Sequence, residues 1–424
     1  MGSEAPLLAG EGTSRLGHNS SDHHPHRRRP MHQEPECQLH FLVWPFGGGP
    51  GESVEDVGLL PFEKGQDQIG SRGLAPFAGR FDQLAEGTID GTPILQDGRK
   101  VWKFVLMFCK SDEEVRANEF GLCHWGSAEP CSDCMCNRGD DRPWTDLSRT
   151  AGWRASEDMP VVAWKERIRR PYHPLVESKY CVDKWFFHID LMHLADCKGT
   201  SATVFGSVVD MITWMKDHGP NRQERLNRVN EFMEHWYSDN PGHHRLPQLK
   251  LGNLRSDDGW SELHGAAVKA ANTRAAAPLF RDMAVHFFTR DLDEHRKVIA
   301  MCDEVSKCYD ILYGSPMFMP KAKIDELRVT VWAIGEHWLS LRELARTGNH
   351  LSWKVSPKAH KFQHLPMYCS VLNVRYTQCY AEESLIGTTA RIWHKKKHEG
   401  EVQDKRSVPR PSQANFVFFL RLEA

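Results

Sequence analysis

Two cysteines three positions apart, Cys131 and Cys134, sit among turn-forming residues in the segment CHWGSAEPCSDCMCNRG. Such a pair can turn both thiolates onto one ion, and Zn²⁺ completes a tetrahedral shell with two imidazoles from elsewhere in a chain. His188 and His193, in FHIDLMH, offer such a pair. Their spacing slightly exceeds one helical turn, so both reach one ion only across a bend or a helix end. Cys131, Cys134, His188 and His193 are therefore the expected ligands of a structural zinc. Cys136 is a rival thiolate, and a cysteine-only site would draw its fourth ligand from Cys123, Cys181 or Cys197.

A second group is acidic. The apolar run 101–109, VWKFVLMFC, has strand length and is followed at once by Lys110, Ser111 and Asp112. Late in the chain Glu382 and Glu383 open a segment of helical pattern, 382–397. Phosphoryl transfer by two metal ions uses carboxylates that hold the ions about 4 Å apart, and strand ends and helix faces are where such carboxylates sit. The helix dipole and turn chemistry favour acids at the same places without any catalytic role. A third group is basic and aromatic: Trp164, Lys165, Arg167, Arg169, Arg170 and Tyr172, then residues 393–397. These side chains can neutralise phosphates and stack on bases, although a solvated face is their commoner role. Trp214, Trp236, Trp332 and Trp338 fall on helical periods and are expected to anchor a core.

The elements that must position these groups change character along the chain. Residues 1–36 are rich in Gly, Ser, His, Pro and Arg without a period, which predicts a disordered tail. Residues 37–98 suggest loops and two weak strands, and 101–109 a buried strand. Beyond residue 200 the period becomes helical: 202–218, 222–237, 261–287, 292–312, 323–346 and 357–368 all read as amphipathic helices. Ser201, Asn221 and Asp291 are candidate N-caps, and Pro278 and Gly335 are expected interruptions. The segment 415–422 is apolar and of either type.

At 424 residues, 26% of them charged and 40% hydrophobic, the chain has the length and composition of a globular protein with a large core. A net charge of −2 gives no global positive field, so contact with nucleic acid must come from local patches. The apolar runs are too short to cross a bilayer, and the start lacks the pattern of a secretory signal. A reducing compartment, nuclear or cytoplasmic, is thus expected, with the cysteines as thiols or metal ligands.

Three strings carry a family resemblance. FVLMFCKSDEEVRANEFGLCHWGSAEPCSDC looks like the second-acid segment of eukaryotic cut-and-paste DDE transposases of the CACTA, Mirage and Chapaev type. FHIDLMHLADCKGTSATVFGSVV is similar to their Asp-x-x-His segment, and KAHKFQHL with CYAEESLIGTTARIWH resembles the segment bearing the catalytic Glu. The resemblance covers roughly residues 100–400. It implies an α+β, helix-rich fold whose RNase H-like mixed sheet is interrupted by a large all-α insertion. Its parts would be a tail at 1–36, a partial core with the zinc segment at 37–200, the insertion at 201–350, and the rest of the core with the third-acid helix at 351–424.

By the same resemblance Asp112 is the second catalytic acid, Glu383 the third, and the zinc ligands are the four already named. Mg²⁺ or Mn²⁺ would be the catalytic ion, DNA the substrate, and a homo-oligomer the assembly. The first acid has no convincing counterpart among Asp56, Asp67, Asp82, Asp90 and Asp97, as in a truncated or domesticated copy. The competing expectation is a non-catalytic, zinc-stabilised helical protein that binds DNA or other proteins. A zinc hydrolase is disfavoured, because no H-E-x-x-H is present and four protein ligands leave no position for water.

Overall fold

In the computed structural model the described residues are 103–111, 113–139, 141–265 and 268–380, together with short segments between 37 and 100 and the strand at 414–423. The tail at 1–36, Asp112, Glu382, Glu383 and residues 393–397 lie outside the described residues. The chain is dominated by helices and carries a small sheet.

Five strands concern the sheet: β1 (Cys37–Trp44), β2 (Glu55–Pro61), β3 (Lys103–Ser111), β4 (Phe187–Ile189) and β5 (Ala414–Glu423). Their order is β2-β1-β5-β3-β4. Residues 103–109 of the expected apolar run thus form a strand, and the segment at 415–422 proves to be one as well. The pair that matters most is β3 with β4, which run parallel with Cys109 opposite Phe187, Lys110 opposite His188 and Ser111 opposite Ile189. Asp190 therefore leaves the end of β4 next to the end of β3.

A short helix, α1 (Glu113–Asn118), follows β3. The helical block comprises α2 (Thr200–Trp214), α3 (Arg222–Asp239), α4 (Ala277–Phe287), α5 (Asp293–Gly314) and α6 (Lys321–Thr347). Helix α2 is buried on nearly every face, as its almost uninterrupted apolar and small-residue sequence requires. Phe205 of α2 stacks on Phe280 of α4 with ring centroids 4.0 Å apart. Asn221 caps α3 by accepting from the Glu224 amide, as expected, whereas Gly199 and Leu292 occupy the cap positions of α2 and α5 in place of Ser201 and Asp291.

The helix expected at 261–287 is only partly formed. Helical structure begins at Ala270, because the backbone before it is spent on other partners: Ser261 donates to Leu351 O, Glu262 to Leu254 O and Leu263 to Ala202 O. This crossing lies so close to α2 that a Cβ at Gly206 would come within 2.4 Å of the Glu262 carbonyl carbon. Pro278 falls in the first turn of α4, where proline has no amide to waste. Gly335, expected to break a helix, lies inside an unbroken 27-residue α6. Among the four tryptophans, Trp236 and Trp338 are buried in the main core, while Trp214 is 46% exposed. Trp332 is half-buried under the guanidinium groups of Arg149 and Arg154.

After α6 two short helices, α7 (Pro357–Phe362) and α8 (Leu365–Val371), replace the single helix expected at 357–368. No helix among the described residues is long and apolar enough to cross a membrane.

Candidate metal centre

The loop after α1 buries Cys131, Cys134 and Cys136 almost completely. Arg167 holds its backbone, donating to Cys134 O at 2.9 Å and to Cys131 O at 3.0 Å while pairing with Glu129. Asp133, between the two outer cysteines, is fully buried and ties the loop to three helices. It pairs with Arg116 of α1 at 3.1 Å and Lys361 of α7 at 3.1 Å, and accepts from the Tyr368 hydroxyl of α8 at 2.6 Å. Burial opposes its charge, but Lys361 and Arg116 outweigh that and hold its pKa below the usual carboxylate range.

Opposite the cysteines stand two histidines from α7 and the turn after it. Ser356 caps α7 by accepting from the Ala359 amide, Pro357 starts it, and His360 and His364 follow one turn apart. The His360 Nε2 lies 3.3 Å from Cys134 Sγ, and the His364 Nε2 lies 3.6 Å from Cys131 Sγ. Two donors on one tetrahedral zinc, with Zn–S near 2.3 Å and Zn–N near 2.0 Å, are separated by about 3.6 Å. The two S···N distances are thus close to the edge of a zinc tetrahedron.

Each imidazole is fixed from behind. His360 Nδ1 donates to Trp144 O at 2.9 Å and His364 Nδ1 to Glu157 Oε1 at 2.9 Å, so in both the Nε2 is turned to the thiols. This outer bracing orients metal-bound histidines and raises their basicity. Trp153, fully buried, packs edge-on against both rings at 4.4 and 5.1 Å. Cys131, Cys134, Cys136 and His360 bring their ligand atoms within 4.8 Å of one another, all buried, and this group can hold a metal such as zinc. His364 is a fifth donor at its edge.

Burial pushes the Cys134 thiol up and its hydrogen bond with Cys131 does the same to Cys136, so the negative charge of the group gathers on Cys131. Burial works against a Cys131 thiolate, yet hydrogen bonds from Cys134 and Cys136 and the charge of His364 bring its pKa well below the ordinary thiol value. Burial likewise opposes a charged His364, but Cys131 and Glu157 push it up to about 9. A thiolate facing an imidazolium is a pair whose proton a divalent ion displaces.

The expected histidines lie elsewhere, which corrects the ligand set read from sequence. His188, on β4, is fully buried with Nδ1 at 3.0 Å from Thr377 Oγ1 and Nε2 at 3.4 Å from Tyr368 O. Burial pulls its pKa down to about 4, so it is a neutral core imidazole. His193 lies on a π-helical turn, Met192–Asp196, and its Nδ1 is bonded to Asp190 Oδ2. The signal that pointed to the right pair was the H-x-x-x-H spacing within KAHKFQHL: one turn of helix puts both rings on one side. Of the other thiols considered, Cys181 is buried in a separate apolar cluster with Phe186 and Phe187. Burial raises the pKa of Cys123, and Cys197 lends its carbonyl to Lys358.

Asp190, the acid of the Asp-x-x-His string, is a buried polar group to which sequence reading gave no role. Its Oδ1 accepts from the amides of Met192 at 3.0 Å and Cys379 at 2.9 Å, and its Oδ2 holds His193. Burial opposes its charge, but His193 keeps its pKa below the usual value. In the first basic patch Trp164 is buried and Arg167 is engaged on the cysteine loop, whereas Arg169 and Arg170 are exposed.

No family model, curated protein or solved structure matches the chain.

Proposed function

We propose that the chain is a zinc-stapled protein of DDE transposase type that cleaves or joins DNA strands by metal-assisted phosphoryl transfer. One observation supports this reading above the others. Strand β3 ends at Ser111 beside Ile189 of β4, and the Cys379 amide is bonded to Asp190. The residue after Ser111 is Asp112, the residue after Ile189 is Asp190, and Glu382 and Glu383 follow Cys379 by three and four positions. Three chain segments that meet here therefore each lead into an acid, which suits a carboxylate set for divalent ions.

In this reading Asp112 and Glu383 hold Mg²⁺ or Mn²⁺, and the ions supply charge stabilisation at the phosphodiester and an activated oxygen nucleophile. The zinc at Cys131, Cys134, Cys136 and His360 has a structural part, fixing the segment before the last acid against the segment after the second. The RNase H-like description of the sheet belongs to this proposal, as do a nuclear location and an oligomeric working form.

The test is cleavage of a supercoiled plasmid by the full chain with Mg²⁺ or Mn²⁺. Nicking that disappears in Asp112→Ala and in Glu383→Ala is the expected result. A chain that binds DNA and zinc yet never nicks would overturn the catalytic reading. It would leave the second one, a non-catalytic zinc-stabilised DNA-binding protein, which the lack of a recognisable first acid and the net charge of −2 favour.

A further inference from the structure

Beside the metal centre lies a cavity of about 370 Å³, within the range of small-ligand pockets. Its lining includes the apolar Pro130, Ile189, Leu194 and Pro357, and Trp125 at 40% exposure. Several charges that face it are already matched. Glu113 pairs with Lys361 at 3.0 Å, Lys354 with Asp258, and Asp190 with His193.

Three further polar groups line it: Lys358 and Glu262, which are less well served, and the exposed Lys198. Lys358 donates to one neutral acceptor, Cys197 O at 2.7 Å, although an ammonium carries three donors. Lys198 lines the same space from a residue held at φ +50°, a left-handed conformation that a lysine adopts only where its surroundings impose it. Glu262 presents a buried Oε1 that has no hydrogen-bond partner, on a backbone locked against Gly206 of α2. A buried polar atom left without a partner costs about 1–3 kcal/mol, so a donor arriving there is favoured.

One under-used cation, a second that stands exposed at the same cavity, one under-used acceptor and an apolar lining with an indole call for a ligand that combines an anion, a donor and a flat ring. We propose that this cavity binds a nucleotide unit, its phosphate on Lys198 and Lys358, its base along the Trp125 and Ile189 wall, and a base or sugar N–H or O–H on Glu262. The choice of a nucleotide over another phosphate ester rests on the nucleic-acid reading above. The source is either a free nucleotide or a unit of a single strand.

The experiment is calorimetric titration of the full, zinc-loaded chain without Mg²⁺, using adenosine 5′-monophosphate and, separately, inorganic phosphate. Lys358→Gln is expected to weaken both ligands by about tenfold or more, through loss of a charge-assisted contact. Glu262→Gln is expected to weaken the nucleotide and not to weaken phosphate, since it removes a negative charge near Lys358. Unaltered zinc content and circular dichroism show that the variants are folded, and Lys198→Gln repeats the phosphate test away from α7. Displacement of the nucleotide by a 5′-phosphorylated decathymidine assigns the site to a strand, and failure to displace it assigns the site to the free nucleotide; both support the inference. No nucleotide binding to the unaltered chain, or binding indifferent to Lys358→Gln and Glu262→Gln, overturns it. A chain that binds the nucleotide without nicking DNA keeps this inference and loses the catalytic one, and the converse result separates them equally well.

Discussion

At the scale of single residues, buried polar groups decide how the chain is held, and Asp196 shows it with a definite sign. It is buried at the end of the π-helical turn, where the Tyr309 hydroxyl donates to Oδ1 and the Tyr380 hydroxyl to Oδ2 at 2.6 Å. Burial raises its pKa to about 7, and the two tyrosines only partly oppose that. An unfolded aspartate titrates near 3.9. Between these values the folded chain keeps a proton that the unfolded chain has lost, so stability falls as pH rises. Relative to Asp196→Asn, the unaltered chain should lose up to about 4 kcal/mol between pH ~4 and ~7. Urea unfolding at a series of pH values checks this, and parallel curves for the two proteins would refute it. The metal ligands teach a related lesson about what residues reveal. The Cys-x-x-Cys pair was legible because two cysteines three apart among turn formers have few other uses. The histidine pair was not, since an imidazole in FHIDLMH and one in KAHKFQHL look alike until their neighbours are known. His188 is claimed by Thr377 and Tyr368, and His193 by Asp190.

At the scale of elements, periodicity located α3, α5 and α6 to within a few residues, because each has one apolar stripe that must face a core. It misplaced the start of the helix near 261, where the amides of Ser261, Glu262 and Leu263 are spent on segments distant in sequence, a use no local pattern records. Gly335 was misread for a similar reason. Its lack of a side chain serves not a break but a crossing: a Cβ there would lie 2.3 Å from Leu147 O. Helix propensity alone would make Gly335→Ala stabilising by about 1 kcal/mol. The backbone contact reverses the sign, and we expect a net loss of roughly 1–3 kcal/mol from overpacking. Denaturant unfolding that shows a gain would mean that the loop carrying Leu147 yields freely. That loop also carries Trp144, whose carbonyl braces His360, so the variant should weaken zinc retention as well.

At the scale of the whole molecule, the metal centre joins positions far apart in the chain. Cys131 meets His364 across 233 positions and Cys134 meets His360 across 226. The helical block lies between them, so an ion here closes a very long loop and makes metal binding part of folding free energy. Residue spacing and helical period anticipated a cysteine pair early and a block of helices in the middle of the chain. Its catalytic acids fall outside the described residues, and those roles stand or fall with the cleavage experiment. The centre itself is open to a direct measurement: zinc content with X-ray absorption at the zinc edge, on the full chain and on single variants. The account predicts one zinc per chain with three sulfur neighbours and one nitrogen neighbour, lost in Cys134→Ala and His360→Ala and kept in His193→Ala. A chain without zinc, or one that loses it with His193→Ala but not with His360→Ala, would contradict it.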